Sequence, residues 1–229
     1  MHNTITLENL VQPFIVNSHS DFVTIYEEGL RLTEMQDNSW RRPRFFHMVQ
    51  MLRLTRGLAG MTAEAGVYRG LASYLICRTR QQEAGGGFNG TGHFALDSFA
   101  GLPEPTRKDG YLRCAGRFSD TSEEIARRTL EHFPGVEILK GWIPEVLSEL
   151  PDQTYRFVHV DVDLYDPTIA CLEYFFSRLL PGGIIIVDDY GPWPTGEWPG
   201  CRAAVHEFSY RHSMPFATLD TGNVVIVKR

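Results

Sequence analysis

The 229-residue sequence predicts an α/β fold: a doubly wound, mostly parallel sheet with an antiparallel strand at its C-terminal end. Three observations predict it. From residue 61 onward, short apolar segments of strand length alternate with segments of helical period, the rhythm of successive βαβ units. The last two strand candidates are separated only by Asp220–Thr221–Gly222–Asn223, a hairpin turn that sets the closing pair antiparallel. A hydrophobic content of 43% supplies enough apolar surface for one sizeable core.

The elements follow in order. Residues 1–55 carry helix-period patterns broken by Pro13, Gly29 and Pro43, with FFHMVQMLRLTRGL (45–58) the clearest amphipathic helix. Residues 1–60 are expected to form a helical segment ahead of a domain that occupies 61–229. Strand candidates there are MTAEAG (61–66), HFALDSF (93–99), VEILKG (136–141), RFVHVDV (156–162), GIIIVDDY (183–190), PFATL (215–219) and NVVIVKR (223–229). Helix candidates fall between them at 69–82, 121–133, 144–150, 167–180 and 200–213. In such sheets the ligand lies outside the carboxyl ends of the strands, so the chemistry is sought there.

Composition excludes several function classes. The net charge of −6 argues against general nucleic-acid binding, which needs a basic face. The local run Arg41, Arg42, Arg44 beside an aromatic pair has the character of a solvated helix end or a lid. Cys77, Cys114, Cys171 and Cys201 are scattered singly without a CxxC pair, as expected of core thiols in a reducing cytosol. MHNTITLENLVQPF lacks the basic and apolar regions of a signal peptide, and no apolar run reaches membrane-spanning length. The expectation is a cytoplasmic protein acting on a small molecule, with neither nucleic acid nor membrane as partner.

The first strand runs into AEAGVYRGLAS (63–73), where Gly66 and Gly70 permit a tight turn close to a ligand at a helix N-terminus. Tyr68 stands where the dinucleotide fingerprint GxGxxG requires its second glycine. Glu64, just before the turn, points to a cationic ligand group. Asp97 ends the second strand, the place from which an acid accepts hydrogen bonds from ribose hydroxyls; the alternative is a solvated turn carboxylate. AGGGFNGTG (84–92) lacks the Gly-Lys-Ser/Thr ending of a P-loop and precedes a strand, so it is a flexible connection.

The fourth strand opens into VHVDVDLYDPT (158–168). Asp166 precedes Pro167 and a helical run, so it is expected to cap that helix, with Pro167 at the first helical position. Asp161 and Asp163 alternate about Val162 and should face one side if the strand stays extended. The fifth strand ends in Asp188 and Asp189, 27 residues after Asp161, a spacing that makes the two strands βαβ neighbours. Carboxylates so crowded repel unless protonated or neutralised, and a hard cation such as Mg²⁺ resolves the repulsion. Independent solvated loop acids are the plainer alternative. His159 is expected as a satisfied core or supporting residue, and His206 as a surface or substrate-facing one. Trp142 is placed to stack on a purine, and Trp193 and Trp198 to cover a substrate, although core packing is the usual role of a tryptophan.

Together, ExGVxxG (64–70), LDSFxGLP (96–103), HVDVDLYDPT (159–168) and GGIIIVDDYG (182–191) resemble the macrocin O-methyltransferase family over residues 61–229. The resemblance implies a Rossmann-like class I methyltransferase sheet and a Mg²⁺-dependent transfer of the S-adenosylmethionine methyl group to a sugar hydroxyl in antibiotic biosynthesis. It implies that Asp161, Asp188 and Asp189 bind the metal. Glu64, Gly66, Tyr68, Gly70 and Ser73 would serve the methionine side of the cofactor, Asp97 its ribose, and Ser98, Phe99 and Trp142 its adenine. Residues 1–60 would supply a lid, substrate contacts and a dimer surface. Some members of that family offer a histidine in the loop after the first acid; here Asp163 is the available base, with Asp161 the alternative. A nicotinamide-dependent oxidoreductase would share the fold but should show GxGxxG. A non-catalytic S-adenosylmethionine-binding module would keep Glu64 and Asp97 without needing the acid cluster.

Overall fold

The structure, a computed structural model, describes residues 20–38, 40–191 and 198–229. The first 19 residues, including Pro13, and Trp193 with its loop lie outside the described residues. Two helices come first, α1 (Ser20–Thr33) and α2 (Arg41–Leu54). The alternation then runs β1 (Met61–Ala65), α3 (Leu71–Glu83), β2 (His93–Asp97), α4 (Glu123–Thr129), β3 (Glu137–Lys140), β4 (Tyr155–Val160), α5 (Tyr165–Arg178), β5 (Leu179–Val187), α6 (Pro199–His212), β6 (Ala217–Thr218) and β7 (Val224–Val227).

The seven strands form one sheet in the order β3-β2-β1-β4-β5-β7-β6. Strands β1 to β5 are parallel, and β7 runs antiparallel to both β5 and β6. The closing hairpin is held at its turn by Leu219 N–H to Asn223 O at 2.9 Å and Gly222 N–H to Leu219 O at 2.9 Å. The doubly wound sheet with an antiparallel end is therefore the architecture the sequence predicts.

Strand alternation divides the core. One face carries Ala63, Ala65, Leu96, Val158, Val160 and Val187 against Leu172 and Phe175 of α5 and Val205 and Phe208 of α6. The opposite face carries Phe157, Ile184 and Ile186 against α3 and against Phe22, Phe45, Val49 and Leu52 of the first two helices. Thus α1 and α2 cover a face of the sheet and share its core.

Four expectations change. The segment 144–150 forms a 3₁₀ turn, Glu145–Glu149, in place of an α-helix. The helix expected at 121–133 contracts to Glu123–Thr129, entered through Ser122, whose hydroxyl accepts the Ile125 N–H at 3.2 Å. Strand β5 begins at Leu179, four residues before Gly183, because the chain passes directly from α5 into the sheet. Finally, Asp166 does not cap α5. The helix starts two residues earlier, at Tyr165, Leu164 is its N-cap, and Asp166 lies exposed in the first turn with Pro167 behind it. The cap comes from far away in sequence: buried Asp109 accepts the Tyr165 N–H at 2.7 Å. Asp166 cannot act because its own residue is already helical, whereas a cap needs non-helical backbone.

Candidate functional site

The five parallel strands β1 to β5 end at one level, and the ladder continues one step across each neighbouring pair: Gly66 N–H to Leu96 O (2.9 Å), Asp161 N–H to Ala65 O (2.8 Å), Asp188 N–H to Val160 O (2.9 Å) and Gly141 N–H to Asp97 O (2.9 Å). Strand register pairs Ala65 with Val160 and Val160 with Val187, so Asp161 and Asp188 emerge side by side. Just past three of these ends stand non-glycine residues in the left-handed region, Tyr68 (φ 52°), Phe99 (φ 53°) and Asp163 (φ 60°). Such backbone costs about 1–3 kcal/mol per residue and persists where the surroundings over-determine it, commonly at ligand sites. Above the strand ends lies a cleft of about 770 Å³, walled on its other side by Trp40, Arg41, Arg44 and Phe45 at the start of α2.

At the β1–β2 end the carboxylates have donors of their own. The Asp97 oxygens accept the Tyr68 N–H at 2.8 Å and the Phe99 N–H at 2.7 Å, which fixes the carboxylate at the cleft wall. Glu64 is buried, accepts the Ser73 hydroxyl on Oε2, and lies 3.4 Å from His159 Nδ1 through Oε1. Burial pushes its carboxyl above the usual range against the pull of His159. Behind it Ser73 Oγ is 2.9 Å from His93 Nε2, and His93 Nδ1 is 2.9 Å from Thr62 Oγ1. Burial pulls His93 down to about 3, so the imidazole is neutral. Gly66, at φ +88°, passes so close to the β4 end that a Cβ there would lie 1.8 Å from Asp161 O. The chain can cross from β1 over the β4 end only as glycine.

Glu64, Gly66, Tyr68, Asp97, Ser98 and Trp142 all line the cleft. Trp142, 43% exposed, presents an open ring at its rim. Gly70, Ser73 and Phe99 are not among the lining residues. Gly70 (φ +93°) is the N-cap of α3, Ser73 holds Glu64 from behind, and Phe99 packs with Val67, Ala95 and Ala126.

At the β4–β5 end the carboxylates outnumber their donors. Asp161, Asp163 and Asp189 line the cleft, and Asp188 is buried just behind. Extended geometry stops at Val160, so strand alternation is not what brings Asp163 round. A tight turn does: Leu164 N–H bonds Val162 O at 2.6 Å across the left-handed Asp163. Burial first, then neighbouring carboxylate charge, raises Asp161, and raises Asp163 and Asp189 well above the ordinary range. Asp188 is the exception: although burial opposes it, Arg44 and His159 hold it low. Its Oδ1 accepts the Asn223 amide, whose own Oδ1 takes the Thr221 hydroxyl at 2.6 Å. Its Oδ2 lies 3.0 Å from Arg44 Nε as an ion pair without hydrogen-bond alignment. Asp189 Oδ2 is buried with no hydrogen-bond donor among the described residues.

His159 is fully buried, 3.4 Å from Glu64 Oε1 and 3.8 Å from Asp188 Oδ1. Burial would lower it, but Asp188 and Glu64 raise it to about 10, so it is an imidazolium. His159, Asp161 and Asp188 bring ligand atoms within 4.8 Å of one another. The carboxylates of half-buried Asp161 and buried Asp188 are oxygen donors suited to a hard divalent cation, whereas Asp189, expected with them, lines the cleft but does not belong to that close group.

Sequence reasoning missed Arg44, Asn223 and Arg117. Arg44 carried a signal, the basic run at 41–44. Arg117 stacks on Trp198 and Phe118, each 5.1 Å from the ring centroid, and lines the cleft. Trp198 is at the cleft as expected, whereas His206 meets Tyr190 OH at 3.1 Å and does not line it. The four cysteines are buried thiols. Among the described residues no helix is long and apolar enough to cross a membrane.

Comparison with known proteins places this arrangement. A family model described as Macrocin-O-methyltransferase (TylF) matches residues 41–227. The 8-demethyl-8-(2,3-dimethoxy-alpha-L-rhamnosyl)-tetracenomycin-C 4'-O-methyltransferase of Streptomyces olivaceus is 28% identical over 179 residues, covering 73% of this chain and 65% of that protein. The chain thus spans just under two thirds of that relative's length. Mycinamicin III 3''-O-methyltransferase of Micromonospora griseorubida is 25% identical over 241 residues, covering 91% and 88%. Among solved structures, the O-methyltransferase NovP superposes with a TM-score of 0.65 at 26% identity, covering 81% of this chain and 79% of that one.

Proposed function

The chain belongs to the macrocin-O-methyltransferase family, and from that premise we propose that it is an S-adenosylmethionine- and Mg²⁺-dependent O-methyltransferase acting on a hydroxyl of a small molecule, a sugar of a natural product. The sugar O-methyltransferase relatives support the acceptor class. One observation carries the reading: a single cleft of about 770 Å³ joins a donor-satisfied carboxylate pair, Glu64 and Asp97, to a donor-poor aspartate cluster. The first suits a cationic cofactor with a ribose; the second suits a metal.

Each residue then has a defined task. Asp97, fixed by two backbone amides, keeps lone pairs for the ribose hydroxyls. Glu64 presents negative charge towards a cationic ligand, steadied by Ser73 and His159. Gly66 lets the backbone approach, and Trp142 offers its face to a purine. Asp161, Asp188 and Asp189 would hold Mg²⁺, which when bound supplies Lewis acidity that eases deprotonation of a hydroxyl. Asp163, held well above the ordinary carboxylate range by burial and by the charge of Asp161, accepts that proton; Asp161 is the alternative base. The cleft walls orient the hydroxyl, which provides the proximity term. Trp40, Arg41 and Phe45 at the start of α2, which line the cleft, supply acceptor contacts; that the segment they belong to also offers a homodimer surface is proposed from the family resemblance alone. Incubation with radiolabelled cofactor and a panel of glycosides bearing vicinal diols tests the activity. Label should pass to an acceptor and stop with EDTA; transfer unchanged by EDTA removes the metal from the reading, and no transfer to any glycoside removes the acceptor class.

A further inference from the structure

We propose that Arg44 is the resident counter-cation of the aspartate cluster and that a divalent cation binds in competition with it for Asp188. The proposal rests on the reading that this cluster takes Mg²⁺. Asp188 Oδ1 accepts the Asn223 amide, whereas Oδ2 has no hydrogen-bond donor among the described residues, and Oδ2 is the atom Arg44 Nε faces at 3.0 Å. The contact is deep: Arg44 Nε is inaccessible, its side chain is 21% exposed, and that of Asp188 is 1% exposed. It is Coulombic in character, because the pair lacks hydrogen-bond alignment, and such a contact is exchangeable for another cation.

The geometry has a reason. Four aspartates converge on this strand edge with His159 behind them, and carboxylates so crowded favour a positive group among them. Arg44 supplies it from α2, a helix outside the βαβ frame that also gives Arg41 and Phe45 to the cleft wall. Cation entry is thereby coupled to the seating of α2. Arg44 is a positioning residue: it holds Asp188 until the metal takes its place.

The test compares full-length wild type, Arg44→Gln and Arg44→Lys after dialysis against EDTA, by calorimetric titration with MgCl₂ and by melting in EDTA and in MgCl₂. Arg44→Gln should bind Mg²⁺ about tenfold more tightly than wild type, as loss of one nearby positive charge implies. It should melt lower than wild type in EDTA and gain more from MgCl₂. Arg44→Lys, which keeps the charge, should remain near wild type in Mg²⁺ affinity; a purely packing role would not be rescued this way. Equal or weaker Mg²⁺ binding by Arg44→Gln overturns the competition while leaving the metal reading intact. Absence of Mg²⁺ binding in both proteins overturns the metal reading itself.

Discussion

The two ends of the cleft are built from the same residue type on opposite principles. At the β1–β2 end, Asp97 accepts two backbone amides and Glu64 is held by a hydroxyl and an imidazolium. At the β4–β5 end, Asp189 Oδ2 has no donor among the described residues and Asp188 Oδ2 leans on a guanidinium without hydrogen-bond alignment. A buried carboxylate with protein donors is a finished acceptor that waits for a ligand's hydroxyl. A buried carboxylate without them is unfinished, and only a proton or a cation completes it. The difference teaches that one half of the site is pre-organised and the other is assembled by what binds.

The largest effect should come from attacking the unfinished half. Asp161→Asn or Asp189→Asn should lower methyl transfer at least ~10³-fold, the several kcal/mol of metal-borne stabilisation, with S-adenosylmethionine affinity nearly unchanged. EDTA should do the same to the wild type. Turnover and cofactor calorimetry, measured in parallel, would break the comparison if both quantities fell together.

The finished half should respond in the opposite sense. Asp97→Ala should weaken cofactor binding by roughly 10- to 100-fold, the worth of hydrogen bonds to a charged acceptor. Cofactor at 100 times its Kd should stabilise the wild type by ~2.7 kcal/mol, and NAD should add nothing comparable. Calorimetry showing unchanged affinity in Asp97→Ala would take this residue out of the site.

Stability sharpens the contrast further. Asp109→Ala removes the remote cap of α5, the helix behind the aspartate cluster, and should cost ~2 kcal/mol in urea unfolding. Asp166→Ala should change stability by less than ~0.5 kcal/mol, because its side chain is exposed and caps nothing. The reverse ranking would restore the local cap that the sequence suggests.

The support of Glu64 shows itself in the pH dependence of stability. His93 stays neutral in the fold down to about pH 3, whereas the unfolded chain takes up its proton near 6.5. Below about 6.5 the unfolded state therefore binds more protons, and stability falls as the pH drops through the window from 6.5 towards 3. This group contributes a slope of ~1.4 kcal/mol per pH unit. Unfolding titrations of His93→Asn should show a shallower slope over that window; an identical slope would remove His93 as its source.

The sequence by itself determined the strand order's raw material and the acids that stand at the strand ends. The β/α alternation, the closing hairpin, and the acids at the ends of β1, β2, β4 and β5 were legible because strand period and turn chemistry act over a few residues. The tertiary structure decided which side chains finish those acids. Asn223 reaches Asp188 from the hairpin, Arg44 reaches it from α2, and Asp109 caps a helix that starts 56 residues later. It also decided that Asp163 turns in through a left-handed residue, where alternation had suggested an extended one. The physical reason is range: propensity and periodicity are written between neighbours, whereas neutralising a buried charge requires whichever distant group the fold brings within a few ångströms.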